Sequence, residues 1–559
     1  MVRLDPAMQA KLLNEALALH RQGRLDEAER RYERVLKARR DHFDALHLLG
    51  LLNHQRGKTG EAYRLIAAAL KVEPRSADAH CNLALVLRAL GRSEEALAAL
   101  DQALALAPGH LDALNNRGSI LLDLGRPVEA ITAFDAVLSR APRHLQALIN
   151  RGNARAAQGQ TEQALADYDA ALALAPGHPL AHYNRGNLMR TLGRPSAAIA
   201  DYDRTLAVMP MHTAALLNRG LSLAALNRHR EAVESYDRIL AREPDHADAH
   251  FNAALSLLTI GDYRRGFAEY EWRWVRSGMR ARKELRPPPW RGETSLANRT
   301  VLLHAEQGLG DTIQFVRYVP QLARAGAKIV LEVQPELKAL VATVEGGAAV
   351  VARGDPLPAF DVHCPLASLP LALRTEVSAV PAVVPYLRVD AGRLERWQRR
   401  LQSVPRPRIA LAWAGRTTHA NDRNRSIPLA LFDAVIATPG RCWLSVQRDL
   451  REGDAECLAR DGRILHLGGE LGDFSDTAAV LELVDLLVCV DTSVAHLAGA
   501  LGRPAIVLLP FQPDWRWMLD GDRSPWYPTL RLLRQPAIGD WSGAIGQLDA
   551  EIARVLAAG

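Results

Sequence analysis

The chain has 559 residues, which at about 100–200 residues per domain predicts three or four structural units. It is 48% hydrophobic and 24% charged, a balance that is typical of folded globular proteins and excludes a disordered chain. The 69 basic and 63 acidic side chains give a net charge of +6 with no strongly basic run, which excludes a nucleic-acid-binding arm.

The cysteines and the apolar stretches predict a cytoplasmic protein. Five cysteines are scattered without CxxC or metal-ligand spacing, as expected for buried thiols in a reducing compartment. The first residues, Met-Val-Arg-Leu-Asp-Pro, lack the apolar run of a signal peptide. The most apolar late stretch, residues 481–490, is far too short to cross a bilayer, so we expect no membrane span.

Residues recur every 34 positions through the first half of the chain. Each ladder has a structural reason: glycine ends a helix in a left-handed conformation, alanine lets two helices cross closely, a large residue fills the space between helix pairs, and proline begins the next pair. The ladders are Gly23, Gly57, Gly91, Gly125, Gly159, Gly193 and Gly261, with Asn227 standing in once; Ala28, Ala62, Ala96, Ala130, Ala164, Ala198 and Ala232; Tyr32, Leu100, Phe134, Tyr168, Tyr202, Tyr236 and Tyr270, with Ile66 filling the gap; and Pro74, Pro108, Pro142, Pro176, Pro210 and Pro244.

This pattern resembles the tetratricopeptide repeat (TPR) and covers residues 9–280 as about eight repeats. The resemblance implies an α-solenoid, a TPR superhelix in which each helix pair buries its apolar face against the next. The last repeat departs from the pattern, because Gly266 replaces the alanine and residues 269–274 read Glu-Tyr-Glu-Trp-Arg-Trp. We expect this end to be a cap that docks onto the next part of the chain.

Another ladder consists of asparagines at the sixth position of successive repeats. Asparagine is a mediocre helix former, so six in register indicate a role. On the concave face of the superhelix their amides would bind an extended peptide backbone, and the stripe resembles the asparagine ladder of O-GlcNAc transferase. The alternative is that each amide bonds to the neighbouring repeat. The ladder comprises Asn82, Asn116, Asn150, Asn184, Asn218 and Asn252.

Histidines also recur, most of them 34 residues apart. Metal ligands must converge on one point, and side chains on a stack of turns do not converge. We therefore interpret this ladder as turn packing: His42, His110, His144, His178, His212 and His246.

An α/β region follows a linker at residues 281–298, where Arg-Pro-Pro-Pro-Trp-Arg-Gly predicts a stiff, extended segment. Residues 299–400 then show the order strand, glycine turn, helix, strand. Strands are predicted at residues 301–305, 328–333, 349–351 and 386–389. This order opens a doubly wound parallel sheet, a first Rossmann-like half.

A second Rossmann-like half is predicted at residues 406–540. Its strands are expected at residues 409–413, 443–447, 464–467, 486–490 and 505–509, and its helices at residues 427–437, 476–484 and 493–501. Two such halves facing a cleft predict the GT-B architecture of glycosyltransferases. Residues 541–559 are predicted to form a C-terminal helix that crosses back to the first half.

Two motifs of the α/β region carry a resemblance to a family. Gly308-Leu309-Gly310-Asp311 follows the first strand, and Asp491-Thr492-Ser493-Val494-Ala495-His496-Leu497 follows a late one. Together they resemble bacterial ADP-heptose-type heptosyltransferases, and the whole chain resembles bacterial proteins that fuse TPRs to such a domain. The resemblance implies transfer of a sugar from a nucleotide-sugar donor, and some of these proteins glycosylate flagellin.

The first motif is expected to bind the acceptor. Gly308 and Gly310 permit a tight turn and close approach to a substrate, and Gln307 could orient it. In the resembling family the aspartate that matches Asp311 is the candidate general base, which would take the proton from an attacking hydroxyl. The alternative is that Asp311 only caps its helix.

The second motif is expected to bind the diphosphate of the donor. Asp491 follows a strand, and Thr492 and Ser493 open a helix whose free amides suit a diphosphate. His496, one turn later, could add a donor. The alternative is a capped helix with a buried histidine.

Two further residues complete the predicted donor site. The resembling family has a basic residue that meets phosphate, and Arg425 is the candidate here, the alternative being a solvated loop. Gln447, at the end of a strand, is expected to touch the base or the ribose of the donor.

We therefore predict an inverting, metal-independent glycosyltransferase whose TPR groove holds a protein or peptide acceptor. It would need no cofactor besides its co-substrate, the nucleotide-sugar, since helix amides and arginines stabilise a departing nucleoside diphosphate. Two alternatives stay open: a TPR scaffold with an inactive glycosyltransferase-like domain, and a transferase acting on a lipid-linked or polysaccharide acceptor. The second alternative predicts that deletion of residues 1–280 leaves transfer intact.

Overall fold

The computed structural model describes residues 5–276, 285–418 and 421–558. The chain divides into two compact units, residues 1–215 and 216–559, and the division falls inside one helix, Thr213–Ala225. The end of the predicted repeat region at residues 277–280, the start of the predicted linker at residues 281–284 and Gly559 lie outside the described residues.

The first unit is built from antiparallel helix pairs. Its helices are α1 (Pro6–Arg21), α2 (Leu25–Ala38), α3 (Phe43–Gln55), α4 (Thr59–Val72), α5 (Ala77–Ala89), α6 (Ser93–Leu106), α7 (Leu111–Asp123), α8 (Pro127–Arg140), α9 (Leu145–Ala157), α10 (Thr161–Leu174), α11 (Pro179–Thr191) and α12 (Pro195–Val208). The glycine ladder ends the first helix of each pair, at φ angles of 68–75° from Gly23 to Gly193, a conformation that costs glycine little. The alanine ladder is fully buried where helices cross.

The histidine ladder is a set of helix caps, which confirms the prediction of a turn role. Nδ1 of each of five histidines accepts a hydrogen bond of 3.1–3.2 Å from the backbone N–H three residues later. This bond satisfies one of the free N–H groups at the start of a helix. The five are His110, His144, His178, His212 and His246.

The second unit begins with the last helices of the repeat array: α13 (Thr213–Ala225), α14 (His229–Leu240), α15 (Ala247–Thr259) and α16 (Tyr263–Tyr270), followed by a 3₁₀ turn at Glu271–Trp274. Tyr263, Phe267 and Tyr270 belong to the same hydrophobic core as the sheets of this unit. The Tyr263 hydroxyl accepts a 2.9 Å hydrogen bond from Trp526 Nε1. The prediction that the last repeat docks onto the α/β region is confirmed.

A four-stranded parallel sheet follows, with strand order β3-β2-β1-β4. Its elements are β1 (Thr300–His304), α17 (Leu309–Phe315), α18 (Val319–Arg324), β2 (Lys328–Val333), α19 (Lys338–Val341), β3 (Ala349–Ala352), β4 (Val362–Pro365), α20 (Leu369–Ala372) and α21 (Ala391–Leu401). The register pairs Leu302 of β1 with Val330 of β2 and with His363 of β4. β1, whose end carries the first motif, therefore lies between β2 and β4.

The prediction of a strand at residues 386–389 is wrong. The Tyr386 N–H donates to the Ala500 carbonyl, and the Tyr386 hydroxyl donates to the Ile313 carbonyl, so this segment is bonded to the ends of helices and not to a sheet. The strand that completes the sheet is β4, which the sequence analysis did not identify.

A six-stranded parallel sheet has the order β10-β9-β8-β5-β6-β7. Its elements are β5 (Arg408–Ala412), α22 (Asp422–Arg425), α23 (Asp433–Ile436), β6 (Cys442–Ser445), α24 (Asp454–Asp461), β7 (Ile464–His466), α25 (Phe474–Leu483), β8 (Leu486–Val490), α26 (Ser493–Ala500), β9 (Ala505–Leu509), β10 (Leu530–Arg534), α27 (Trp541–Ile545) and α28 (Leu548–Ala558). The predicted fold class is confirmed: a helical TPR solenoid is followed by a parallel α/β region with two sheets, consistent with GT-B.

The expected course of the C-terminal helix is wrong. α27 and α28 do not cross back to the first sheet, since Trp541, Leu548 and Ile552 are buried in the core on one face of the second sheet. The side chains of Thr438 and Arg441 donate to Asp549 and hold α28 there. The apolar face of the terminal helices is thus used to cover this sheet.

The order of the second sheet sets the position of a crevice. The chain runs from β5 towards β6 and β7 on one side, and from β8 towards β9 and β10 on the other, while β5 and β8 are neighbours. Ligands of doubly wound folds bind at such a switch point, outside the carboxyl ends of the strands. Gly415 and Asp491 follow these two ends.

Candidate functional site

One cavity of about 700 Å³ in the second unit is lined by residues of both motifs. The β1 side contributes Gly308, Leu309, Gly310 and Asp311, and Glu336 follows β2. The six-stranded sheet contributes predicted residues, namely Arg425, Gln447, Asp491, Thr492, Ser493 and His496. The two groups that the sequence assigned to acceptor and donor therefore share one space.

Asp311 has two partners at the edge of this cavity. One carboxylate oxygen accepts a 3.0 Å hydrogen bond from the Gly308 N–H and so caps the start of α17. The other oxygen forms an ion pair with Arg516, whose side chain also binds Asp514 at 2.8 Å. About a fifth of the Asp311 side chain stays exposed. The helix-cap alternative is therefore real, and the carboxylate also faces the cavity.

The two motifs touch at Gly310. A Cβ atom on this residue would lie 2.7 Å from Cδ2 of His496, which is closer than any side chain tolerates. The absence of a side chain at position 310 thus lets α17 approach α26. This contact brings the free N–H groups of both helix starts to the same part of the cavity.

His496 is buried and neutral. Burial lowers the pKa of its imidazole well below 6.5, and the nearby Arg516 guanidinium acts in the same direction. Its Nδ1 lies 2.8 Å from the Tyr527 hydroxyl, and its ring stacks on Trp517. A neutral imidazole held in this way presents one fixed edge to the cavity.

The start of α26 has the features of an anion site. The Thr492 hydroxyl accepts a 3.2 Å hydrogen bond from the Val494 N–H and caps the helix. The Ser493 hydroxyl has no hydrogen-bond partner among the described residues. The helix start concentrates partial positive charge at this point of the cavity.

Arg425 lies against the start of the same helix. Its Nη1 donates a 3.0 Å hydrogen bond to the carbonyl of Asp491. Its guanidinium covers Gly415, where a Cβ atom would approach Nη2 to 2.5 Å, so a side chain at position 415 would displace this guanidinium. The solvated-loop alternative does not fit this packing, since only 14% of the Arg425 side chain is exposed.

Two arginines that the sequence analysis missed line the cavity near Arg425. Arg416 and Arg448 are exposed and follow β5 and β6. Arg416 forms no ion pair or hydrogen bond within the described part of the chain. The position of each directly after a strand of the second sheet is the signal that sequence reasoning could have used.

Asp491 is the acidic residue of the second motif. Burial raises the pKa of its carboxyl to about 6, the Asp514 carboxylate adds to the rise, and Arg425 opposes it. A diphosphate near Asp491 would be repelled by the ionised carboxylate. The backbone carbonyl of Asp491, which holds Arg425, is the part of this residue that favours anion binding.

Two predicted site residues have structural roles. The Gln447 side chain accepts from the Ala414 N–H and donates to the carbonyls of Ala414 and Asp449, all at 3.1 Å, so its amide braces the ends of β5 and β6. The Gln307 side chain exchanges hydrogen bonds with the Tyr270 hydroxyl and does not line the cavity. Neither amide is available for a substrate without breaking these bonds.

Five of the six ladder asparagines fall into two groups. The amides of Asn82, Asn116 and Asn150 donate to His47, Cys81, and Asn115 with Ser119, respectively, in the preceding repeat, as the alternative interpretation predicted. Asn184 and Asn252 have no side-chain partner among the described residues. Asn252 lines the cavity that contains Asp311, so one end of the ladder reaches the candidate site.

No three or more histidine, cysteine, aspartate or glutamate side chains in the described ranges are grouped so that they could hold a metal ion. None of the described helices combines the length and the apolar character that a membrane span requires.

Family models match two parts of the chain. Stretches between residues 81 and 278 match a model of the tetratricopeptide repeat, and residues 21–103 match subunit 3 of the anaphase-promoting complex, cyclosome. Residues 433–514 match glycosyltransferase family 9 (heptosyltransferase), a segment that includes Asp491 to His496. The resemblances to TPR proteins and to heptosyltransferases are therefore confirmed for these segments.

Three similar proteins each align with less than half of this chain. Protein FlbA of Caulobacter vibrioides is 26% identical over 290 residues, which are 46% of this chain and 47% of that protein, so the match spans about half of the relative's length. The crystal structure of PilW, a type IV pilus biogenesis factor, is 25% identical with a TM-score of 0.36 and covers 37% of this chain and 96% of its own. A TPR protein from Parabacteroides merdae is 19% identical with a TM-score of 0.38 and covers 44% of this chain and 98% of its own.

Proposed function

We propose that this protein is a glycosyltransferase that moves a sugar from a nucleotide-sugar donor to a hydroxyl group of a protein acceptor. The observation that carries the proposal is the shared cavity, in which Asp311 from one half lies with Arg425 and the start of α26 from the other. The match to glycosyltransferase family 9 over residues 433–514 supports the donor side. The free buried thiols of Cys81, Cys364 and Cys489 support a reducing compartment, the cytoplasm.

The reaction is a single displacement with inversion at the anomeric carbon. The bond between the acceptor oxygen and the anomeric carbon forms while the bond from that carbon to the phosphate oxygen breaks. Asp311 takes the proton of the acceptor hydroxyl, and the nucleoside diphosphate leaves with the electron pair. Arg425 and the N–H groups of α26 stabilise the negative charge that develops on the leaving group, which is work that needs no metal ion.

The ion pair between Asp311 and Arg516 favours one competing function, an inactive scaffold. The carboxylate oxygen of Asp311 that binds Arg516 is occupied by this ion pair and must release the guanidinium before it can contact an acceptor hydroxyl. Asp514 binds the same guanidinium, so the positive charge of Arg516 is shared between Asp311 and Asp514. The two functions can be distinguished by measuring sugar transfer. A glycosyltransferase loses transfer when the Asp311 carboxylate is removed, whereas an inactive scaffold transfers no sugar with or without it.

The test is a pair of isosteric variants. Asp311→Asn removes the proposed base, and we expect transfer to fall by about 10²–10⁴-fold, the usual contribution of a general base, with unchanged affinity for the nucleoside diphosphate. Asp514→Asn is the matched control, because it loosens Arg516 equally and leaves the base in place. Transfer rates and nucleotide-induced thermal shifts would be measured for both variants.

The outcomes separate the mechanisms. Equal losses in both variants would show that Asp311 acts only through Arg516. Retained turnover in Asp311→Asn would remove it from the mechanism. A wild-type protein that is stabilised by no nucleotide or nucleotide-sugar would support the scaffold instead.

A further inference from the structure

One wall of the cavity is formed by the last repeats and carries no charge. We call it the neutral wall, and it consists of Leu221, Ala224, His229, Tyr236, Asn252, Leu255, Ser256 and Thr259, from α13, α14 and α15. The remaining lining of the same cavity includes arginines and aspartates, which come from other elements.

His229 is the most unusual residue of the neutral wall. It is 4% exposed, and neither ring nitrogen has a hydrogen-bond partner among the described residues. Burial lowers the pKa of the imidazole to about 4, so the ring is neutral at pH 7 and offers one donor and one acceptor. Buried polar groups are nearly always paired, so a ring left unpaired beside a cavity points to a ligand.

Tyr236 has the same property, and the repeat pattern shows why. In two earlier repeats the equivalent hydroxyls donate to asparagine side chains, from Tyr168 to Asn153 at 2.7 Å and from Tyr202 to Asn187 at 2.9 Å. The residue 34 positions after Asn187 is Leu221, which cannot accept a hydrogen bond. The fully buried hydroxyl of Tyr236 accordingly has no hydrogen-bond partner within the described chain.

We propose that the neutral wall is an acceptor subsite that binds an uncharged stretch of peptide next to the hydroxyl that receives the sugar. This inference rests on the proposed function and names its substrate class. His229, Tyr236 and Asn252 each offer a donor and an acceptor, which matches the N–H and C=O groups of a peptide backbone. Leu221 and Leu255 offer apolar contact to small side chains.

The wall also predicts which peptides are rejected. A charged side chain placed against it would lose its hydration and meet no opposite charge within the wall, which is costly. Acceptor segments that carry aspartate or lysine beside the acceptor hydroxyl should therefore bind poorly.

The experiment measures binding of labelled peptides to the full-length protein by fluorescence anisotropy. The probes are twelve-residue peptides with one central serine and uncharged neighbours, and the same peptides with aspartate or lysine beside the serine. We expect the uncharged peptides to bind and the charged ones to bind at least tenfold more weakly. Binding of none of the peptides, or equal binding of charged and uncharged ones, would overturn the proposal.

Three variants locate the binding site. Tyr236→Phe removes only the unpaired hydroxyl and should weaken binding of the uncharged peptides about tenfold without loss of thermal stability. Tyr202→Phe is the matched control, since it breaks the internal bond to Asn187 and should lower stability without affecting binding. Leu221→Asn restores the partner that earlier repeats have, and should weaken peptide binding while stability is kept or raised. Unchanged peptide binding in both Tyr236→Phe and Leu221→Asn would also overturn the proposal.

The subsite and the proposed function can fail separately. If uncharged peptides bind and Tyr236→Phe weakens their binding while no sugar is ever transferred, the subsite is supported and the glycosyltransferase function is contradicted. If sugar is transferred equally well to charged and uncharged peptides, the function stands and the subsite falls. Affinity for a nucleoside diphosphate should be the same in all three variants, because none of them changes an arginine or the start of α26.

Discussion

Gly310 is the residue at which the two motifs depend on each other. An alanine at this position would place a Cβ atom 2.7 Å from His496, and this imidazole cannot move away easily because Tyr527 and Trp517 hold it. From sequence, Gly310 was predicted to allow close approach of a substrate, whereas the structure shows close approach of α26. Its partner was not identified as such, since nothing in the local sequence indicates that a residue 186 positions away packs on it.

Substitution of Gly310 tests this contact. We expect Gly310→Ala to lower the free energy of unfolding by about 1–3 kcal/mol through overpacking, although alanine favours the helix by about 1 kcal/mol. Gly308→Ala is the control: its Cβ atom would meet only the flexible Asp311 carboxylate, at 3.3 Å, and should change stability by less than about 1 kcal/mol. Urea denaturation of both variants makes the comparison, and equal stabilities would show that α17 and α26 adjust freely.

The role of a residue was predictable where its position in a local motif determines it. It was not predictable where contacts with residues distant in the sequence determine it. Asp311, Arg425 and Thr492 lie in the cavity because each follows a strand end, a position that the strand pattern already indicates. Gln447 has the same kind of position, but its amide is used by the backbone of β5, a neighbour that only the sheet order reveals. Arg516 and His229 were missed because their importance comes from partners distant in the sequence.

At the scale of elements, the 3₁₀ turn at Glu271–Trp274 joins the last repeat to the α/β region. Arg273 is fully buried and binds Glu271 at 2.5 Å, Ser368 at 2.7 Å and Glu306 at 3.1 Å. Burial raises the pKa of the Glu306 carboxyl to about 7, with Arg273 opposing the rise. Docking of the cap was predictable from the aberrant end of the repeat pattern, whereas the buried ion pair that secures it was not.

Removal of the Arg273 guanidinium should lower the free energy of unfolding by an amount that depends on pH. Arg273→Met leaves buried carboxylates without their partner, and we expect a loss of about 3–5 kcal/mol. Glu306 holds its proton to a higher pH in the folded state than in the unfolded chain, so its contribution to stability falls as the pH rises from about 4.5 to 7. The loss in Arg273→Met should therefore be larger at pH 8 than at pH 6, where Glu306 is mostly neutral.

A second variant isolates this carboxyl group. In Arg273→Met/Glu306→Gln the group that titrates is gone, so the stability difference from Glu306→Gln alone should be the same at both pH values. Denaturation at pH 6 and pH 8 provides the measurement. A pH-independent loss in the single variant Arg273→Met would contradict the assignment to Glu306.

Other elements show where sequence patterns stop being informative. The ladders predicted the helix pairs well because each pair repeats the same local contacts. The short strand β4 was missed, and residues 386–389 were wrongly predicted as a strand, because a brief apolar run has no periodicity that separates a strand from a buried segment. The terminal helices were predicted as helical, but which sheet they cover depends on the packing of the second half.

At the scale of the whole molecule, the compact unit that contains the cavity begins inside α13 and not at the end of the repeats. Tyr263, Phe267 and Tyr270 of α16 share one core with the strands of the first sheet. Deletion of residues 1–280, the test for a lipid-linked or polysaccharide acceptor, would therefore open this core as well as remove the groove. A loss of transfer after that deletion would not distinguish the acceptors.

A deletion of residues 1–211 makes the distinction, since it keeps α13 to α16 with the sheets. We expect the chain from His212 onward to unfold cooperatively and to bind a nucleoside diphosphate like the full protein, whereas the chain from residue 281 onward should aggregate because buried aromatic contacts are lost. If the groove holds a protein acceptor, the shorter chain should keep its turnover rate for a short peptide but lose affinity for a long protein acceptor. Equal KM values for a protein acceptor with and without residues 1–211 would instead favour an acceptor that the repeats do not hold.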